Sequence, residues 1–246
     1  MKADARLTAE RDGSGRTVLR ELRSMAPLTL FPKRDNNSAA TVHLVNSATS
    51  PLGGDELALT VLVGPGARLR LSGVAATLAL PGHRGGASRS VVRIEVGAGG
   101  VCEYLPEPTV VTARADHYAE LHASLGADAR LRLREMLVLG RSGERPGLLR
   151  TSQHVLREGV PLLRQVLRIG DPELAASAAY LAGRRVLGTE LLVWGPDPAE
   201  PTGGDWWSLT PLAAGGSLAT ALAHDAVTAS ADLASALATH PGWSSP

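Results

Sequence analysis

The sequence predicts a mainly β protein: a two-layer, β-helix-like or sandwich-like body of stacked hairpins, followed by one or two C-terminal helices. Three observations carry this. Apolar and polar residues alternate through most of the first two thirds of the chain, the period of two expected of strands with one buried face. The alternating runs meet at a hydrophobic residue followed by a glycine-led turn, at Val63-Gly64, Val96-Gly97 and Leu125-Gly126, roughly 30 residues apart, within the range of stacked repeats. Helix signals appear only late.

Taken in order, Leu57, Leu59, Val61 and Val63 share one face, Gly64-Pro65-Gly66 breaks the run, and Ala67, Leu69 and Leu71 alternate with Arg68, Arg70 and Ser72. This reads as a hairpin with one apolar face. The unit recurs as Val91 to Val96 with Val101 to Leu105, and as His117 to Leu125 with Ala129, Leu131 and Leu133. A single hairpin cannot bury its apolar face, so neighbours must stack or pair across a second layer.

Asp171-Pro172-Glu173 is a helix start, with a capping carboxylate, proline at the first turn and an acid for the dipole. It predicts a short helix over 171–183. A strand follows over Arg185 to Trp194, then a Pro/Gly-rich loop over 196–205. Leu218, Leu222, Val227, Leu233 and Leu237 suit one helical face, ended by Pro241-Gly242. The expected organisation is a β body over 1–195, the loop, and a helical tail over 206–246 that packs on the body.

Composition narrows the function classes. Net charge is +1 and aromatics make up 3%, which argues against nucleic-acid and anionic-membrane partners. Cys102 is the only cysteine, so no internal disulfide or cysteine-cluster metal site can form. The stretch from Trp206 to Ala223 lacks charge but is diluted by Pro211, Gly215 and Gly216, unlike a membrane span. The start of the chain, with Lys2, Asp4 and Arg6, does not resemble a signal peptide. A cytoplasmic protein is expected.

No nucleophile elbow, P-loop or dinucleotide fingerprint is present. His117 and His122, five apart on a strand, fall on opposite faces, and Asp116-His117 reads as a solvated strand end. Three segments stand out. Asn46 ends a strand, and Gly53-Gly54-Asp55 precedes the next, where two glycines suggest positive φ or a close approach. Glu103-Tyr104-Leu105-Pro106-Glu107-Pro108 ends a strand with Glu103 on the face of Val101 and Leu105, unusual for a carboxylate unless partnered. Gly140-Arg141-Ser142-Gly143-Glu144 ends another β run, with Arg141 and Glu144 able to pair.

In order and spacing, Asn46, Gly53-Gly54-Asp55-Glu56-Leu57, Gly66-Ala67-Arg68-Leu69, the Glu103–Pro108 segment and Gly140-Arg141 with Gly143-Glu144 resemble the UreD (UreH) family of urease accessory proteins. The resemblance spans roughly residues 14 to 195. The chain departs from the family pattern at Ser47 to Pro51, where a glycine cluster is usual, and after Thr77, where a lysine is missing. The resemblance implies a β-helix-like fold with C-terminal helices and a role without catalysis. It implies binding to the urease apoprotein and a UreF-type partner, and through the latter to a UreG-type GTPase. It further implies no tightly held cofactor, with nickel as a transient cargo for which a water-filled internal passage is the expected route. Asp55, Glu103 and Glu144 are the carboxylates at motif-matched positions, expected to line the passage or to hold loops; Asn46, Gly53, Gly54, Pro106, Gly140, Arg141 and Gly143 are expected to shape the same motifs. A β-rich hydrolase or a small-ligand-binding module is the alternative.

Overall fold

The computed structural model describes residues 1–34, 38–83, 85–175, 177 and 179–243. Its strands in chain order are β1 (Lys2–Arg11), β2 (Thr17–Arg23), β3 (Leu28–Lys33), β4 (Ala40–Asn46), β5 (Glu56–Val63), β6 (Arg68–Gly73), β7 (Thr77–Ala79), β8 (Ser88–Val96) and β9 (Val101–Leu105). They continue as β10 (Thr109–Val111), β11 (Asp116–Leu125), β12 (Arg130–Leu139), β13 (Leu148–Arg157), β14 (Val160–Ile169), β15 (Val186–Val193), β16 (Thr202–Gly203), β17 (Trp207–Pro211) and β18 (Ser217–Ala223). Helix α1 spans Pro172–Ala175 and α2 spans Ala226–Ala238.

The strands form two facing sheets. The first has the order β14-β13-β11-β8-β5-β1-β2, and the second β16-β17-β18-β15-β12-β9-β6-β4-β3, with β7 and β10 attached beside β12. The fold is therefore mainly β and solenoid-like, with stacked coils and one full C-terminal helix. One detail of the sequence reading is corrected. β5 and β6 do not form a hairpin, and neither do β8 and β9 or β11 and β12. Each pair crosses from one sheet to the other, and the ladders run between successive coils in parallel. Alternation alone cannot distinguish the two, because a hairpin and an arch present the same period of two.

The glycine-led turns have a physical reason. Gly97 N–H donates to Val63 O at 2.7 Å and Gly126 N–H to Val96 O at 2.8 Å, so each arch stacks on the one before. A Cβ on Gly97 would lie 2.8 Å from Pro65 N, and one on Gly126 2.9 Å from Ala98 N. Only glycine lets the turn backbones approach this closely.

Stacking aligns the apolar faces into rows. Leu7, Val61, Ile94, Ala123 and Val155 are register partners across the first sheet. Val42, Leu71, Tyr104, Leu133 and Leu191 are register partners across the second. The two rows are buried together in the main core. Each fully buried leucine or isoleucine contributes about 1.5–3 kcal/mol relative to exposure. A second inter-sheet cluster gathers Ala79, Val111, Ala115, Leu137, Leu139, Leu149 and Ile169.

The tail departs from the helical expectation. Residues 207–211 and 217–223 are strands, and only Ala226–Ala238 is helical. Leu218 and Leu222 lie on β18, which pairs β15 on one side and β17 on the other. The alternation of Ser217 to Ala223 suits either period, and ladder bonds on both sides decide for the strand. Helix α2 starts after Asp225, whose side chain accepts from Thr228 N–H. It lays Ala229, Leu233, Ala236 and Leu237 on the outer face of the second sheet, beside Met136, Val186 and Leu209.

Of the helix expected over 171–183, Pro172–Ala175 is helical and Leu181–Gly183 is a 3₁₀ turn. Asp171 accepts from Glu173 N–H at 2.9 Å, as a capping residue should. Ala176 and Ala178 lie outside the described residues. The strand expected over Arg185 to Trp194 is β15, buried along its whole length.

Candidate functional site: a cavity between the sheets

The main core and the second inter-sheet cluster do not meet. Between them lies a cavity of about 180 Å³, walled by residues of both sheets. Its apolar wall includes Leu57, Leu59, Leu121 and Leu133, and its polar wall includes Asn46, His117, Glu135, Thr151 and Gln153. A space of this size, with several polar groups, has room for more than one water.

Glu135 stands at the centre of this polar group, between Thr151 and Gln153. Strand β12 alternates Leu131, Leu133, Glu135, Leu137 and Leu139 toward the facing sheet, so Glu135 occupies a core position. Thr151 Oγ1 donates to Glu135 Oε1 at 2.6 Å, and Gln153 Nε2 donates to Glu135 Oε2 at 2.9 Å. No cation pairs with it among the described residues. Burial pushes its carboxyl above the usual range, and the two neutral donors only partly offset this. Each oxygen keeps a lone pair beyond its one donor, so the group can meet a proton or a cation entering the cavity.

His117 also faces the cavity and is buried, which corrects the expectation of a solvated strand end. Its Nδ1 lies 2.8 Å from Ser88 Oγ. Burial pushes the imidazole down to about 4, so it is neutral at pH 7. Ser88 Oγ also lies within hydrogen-bond distance of Asp116 O, at 3.3 Å. No carboxylate contacts His117 among the described residues, so the hydroxyl–imidazole pair lacks the third member of a hydrolytic triad.

The motif carboxylates are arranged differently. Asp55 is buried; its Oδ1 accepts from the Met1 ammonium at 2.6 Å, and its Oδ2 accepts from Ser50 Oγ and Leu52 N–H, each at 2.8 Å. Burial raises its pKa, but these donors and the ammonium charge outweigh it, leaving the carboxyl below its ordinary value. Asn46 Nδ2 donates to Ser50 O, tying the strand end to the same loop. Gly54 takes a positive φ of 88°. A Cβ on Gly53 would lie 2.5 Å from Gly86 O and 2.7 Å from Gly82 N, so both reasons foreseen for this glycine pair operate.

Glu103 lies on the outer face of the second sheet, where Arg132 Nη1 is 3.3 Å away and also contacts Glu190 through Nε. Pro106 lines the cavity, and its carbonyl accepts from Arg134 Nη2 at 3.2 Å. Glu144 accepts from Arg141 Nε at 3.0 Å, Arg141 Nη2 at 2.7 Å and Arg141 N–H at 3.1 Å. These bonds hold it down at about 2. Gly140 and Gly143, both at positive φ, close this loop. The three motif carboxylates are thus in three separate places. Of the site residues expected from the motifs only Asn46 and Pro106 touch the cavity, and the same motif segments also reach it through Leu57, Tyr104 and Glu107.

The sequence reading missed Glu135, Thr151, Gln153 and Glu190. The signal for Glu135 was present: a carboxylate on the apolar parity of β12, the same anomaly that drew attention to Glu103. Among the described residues no group of three or more His, Cys, Asp or Glu side chains is placed to hold a metal ion, and no helix is long and apolar enough to cross a membrane.

Stacked parallel coils with a cavity between the two sheets place the molecule among solenoid-like β proteins. The model of the UreD urease accessory protein family matches residues 1–242. A protein of Saccharopolyspora erythraea named urease accessory protein UreD 1 is 62% identical over 245 residues, covering 98% of this chain and 96% of its own. Urease accessory protein UreD of a Parafrankia species is 41% identical, covering 92% and 84%. The UreD of Streptomyces avermitilis is 40% identical, covering 92% of each chain. This chain belongs to the UreD family of urease accessory proteins.

Proposed function

We propose that this chain is a non-catalytic scaffold of urease maturation. It binds the urease apoprotein and a UreF-type partner in the cytoplasm, engages a UreG-type GTPase through that partner, and passes nickel as transient cargo with no resident cofactor. The observation that supports this reading is the inter-sheet cavity, lined by Glu107, Glu120 and Glu135: Glu107 lies 3.9 Å from Arg134 and Glu120 pairs with Arg89, whereas Glu135 is held only by neutral donors. A borderline divalent cation in transit needs oxygen ligands that bind it weakly enough to release it. A carboxylate already neutralised by arginine is a poor ligand for that purpose. Asp55, Glu103 and Glu144 are each engaged by a cationic group, and in this reading they hold loops and strands.

The test is co-expression of the urease subunits and accessory proteins with no copy of this chain, with wild type, or with Glu135→Gln, reading urease activity and bound nickel. Wild type should restore both. Glu135→Gln should lower nickel content while leaving complex formation intact. Full nickel loading without this chain would sink the scaffold reading, and full loading with Glu135→Gln would remove the cavity carboxylate from it.

A further inference from the structure

The first sheet ends in two edges of different character. At the β2 edge the charges are matched: Arg20 with Glu10 at 3.1 Å, Arg23 with Asp4 at 2.6 Å, and Arg6 with Glu21 at 3.2 Å. At the β14 edge they are not. Arg150 and Arg168 are register partners, as are His154 and Arg164, and the same row continues to His122 and Arg93. Arg93, Arg150, Arg164 and Arg168 are exposed and form no ion pair among the described residues. The one acid close by in these rows, Glu120, is taken by Arg89 at 2.8 and 3.0 Å.

Apolar side chains interleave with these arginines. Leu148 is 50% exposed, Val166 47% and Val160 55%. On the inner row of β14, Leu163, Gln165 and Leu167 are only half-buried, and Gln165 Oε1 is shielded from water without a hydrogen-bond partner. Tyr180 Oη donates to Arg168 O at 3.4 Å, so the peptide groups of Arg168, Val166 and Arg164 point away from β13. Tyr180 occupies the Arg168 end of this edge, while the outward peptide groups of Val166 and Arg164 have no backbone partner among the described residues, and such an edge is a template for a further strand.

We propose that the β14 edge docks an extended segment of a protein partner by strand addition, a segment in which acidic residues alternate with apolar ones. The acids would meet Arg150, Arg164 and Arg168 on the outer face, and the apolar residues would cover the half-buried inner row of Leu163, Gln165 and Leu167. This rests on the assembly reading above for the partner being a urease-maturation component, while the chemistry of the segment comes from the edge itself.

Two variants test it: the reversal R150E/R164E/R168E, and Val166→Pro, which removes one outward N–H and leaves the ladder to β13 intact. All the altered side chains are exposed, and unchanged melting curves establish folding. Binding is measured to a synthetic peptide alternating Glu and Val, and separately to the purified urease apoprotein and accessory proteins. Saturable peptide binding to wild type, weakened more than about ten-fold by each variant, is the expected result. No peptide binding to wild type overturns the proposal. Loss with the arginine reversal but not with Val166→Pro overturns strand addition. Peptide binding with no binding to any urease component would leave the edge standing and the assembly reading fallen. Binding to those components that neither variant weakens would leave the assembly reading standing and overturn this edge as their dock.

Discussion

Two carboxylates of the second sheet, Glu135 and Glu190, sit one register step apart on adjacent strands, since Glu135 opposes Thr189 and Arg134 opposes Glu190. They point to opposite faces. Glu190 faces the layer formed by α2 and the C-terminal residues, 2% exposed, and is paired with Arg132, which also reaches Glu103 and lies 4.6 Å from the Trp243 ring centroid. Glu135 faces the cavity and is held by a hydroxyl and an amide. The first is a closed charge network. The second is a partly buried carboxyl without a counter-charge, facing a cavity with room for water. The difference teaches which carboxylate is free to act: a matched ion pair is committed to structure, and an acid with only neutral donors keeps its affinity for cations.

The largest effect should come from breaking the network. Arg132→Met leaves Glu190 and Glu103 facing each other without a cation, and stability measured by urea unfolding should fall by about 3–5 kcal/mol. Trp243→Ala removes the ring over Arg132 and the edge contact with Trp194, whose centroid is 5.1 Å away. It should lower stability by about 1–2 kcal/mol.

Glu135→Gln should change stability at pH 7 by less than about 1 kcal/mol, because one lost hydrogen bond is offset by the removed desolvation of a charge. The sign with pH follows from its raised carboxyl. The folded state binds this proton more tightly than the unfolded chain does. Its contribution to stability is therefore full below the ordinary glutamate value of 4.5 and is lost as pH rises through the folded value. The stability of wild type relative to Glu135→Gln should accordingly decline on going from acid to neutral pH. A flat difference would show that Glu135 is not perturbed.

Glu144→Gln tests the opposite sign at an exposed loop. Arg141 and the backbone hold Glu144 at about 2, so its contribution is present above 4.5 and lost as pH falls toward 2. The melting-temperature gap between wild type and Glu144→Gln should be small at neutral pH and close in acid. A gap that widens in acid would break the contrast with Glu135.

The fold class was legible because burial of one strand face forces period-two alternation, and because stacked turns demand glycine at Gly97 and Gly126. The capped start at Asp171 and the buried strand near Arg185 to Trp194 were legible for similar local reasons. The pairing of Arg141 with Glu144, three residues apart, also needed only local spacing. Family membership could be read from the order of short motifs. What the sequence could not decide was which strand pairs with which. Hairpin and arch share one pattern, and Ser217 to Ala223 suits helix or strand until β15 and β17 lie on both sides of it. The cavity belongs to the same category. Glu135, Thr151 and Gln153 come from strands that meet only when the coils close, and His117 finds Ser88 across 29 residues. Local periodicity and turn chemistry depend on neighbours in sequence and are written along the chain. The choice between an arginine and a hydroxyl as partner for a buried acid depends on neighbours in space, and only the packed sheets supply those.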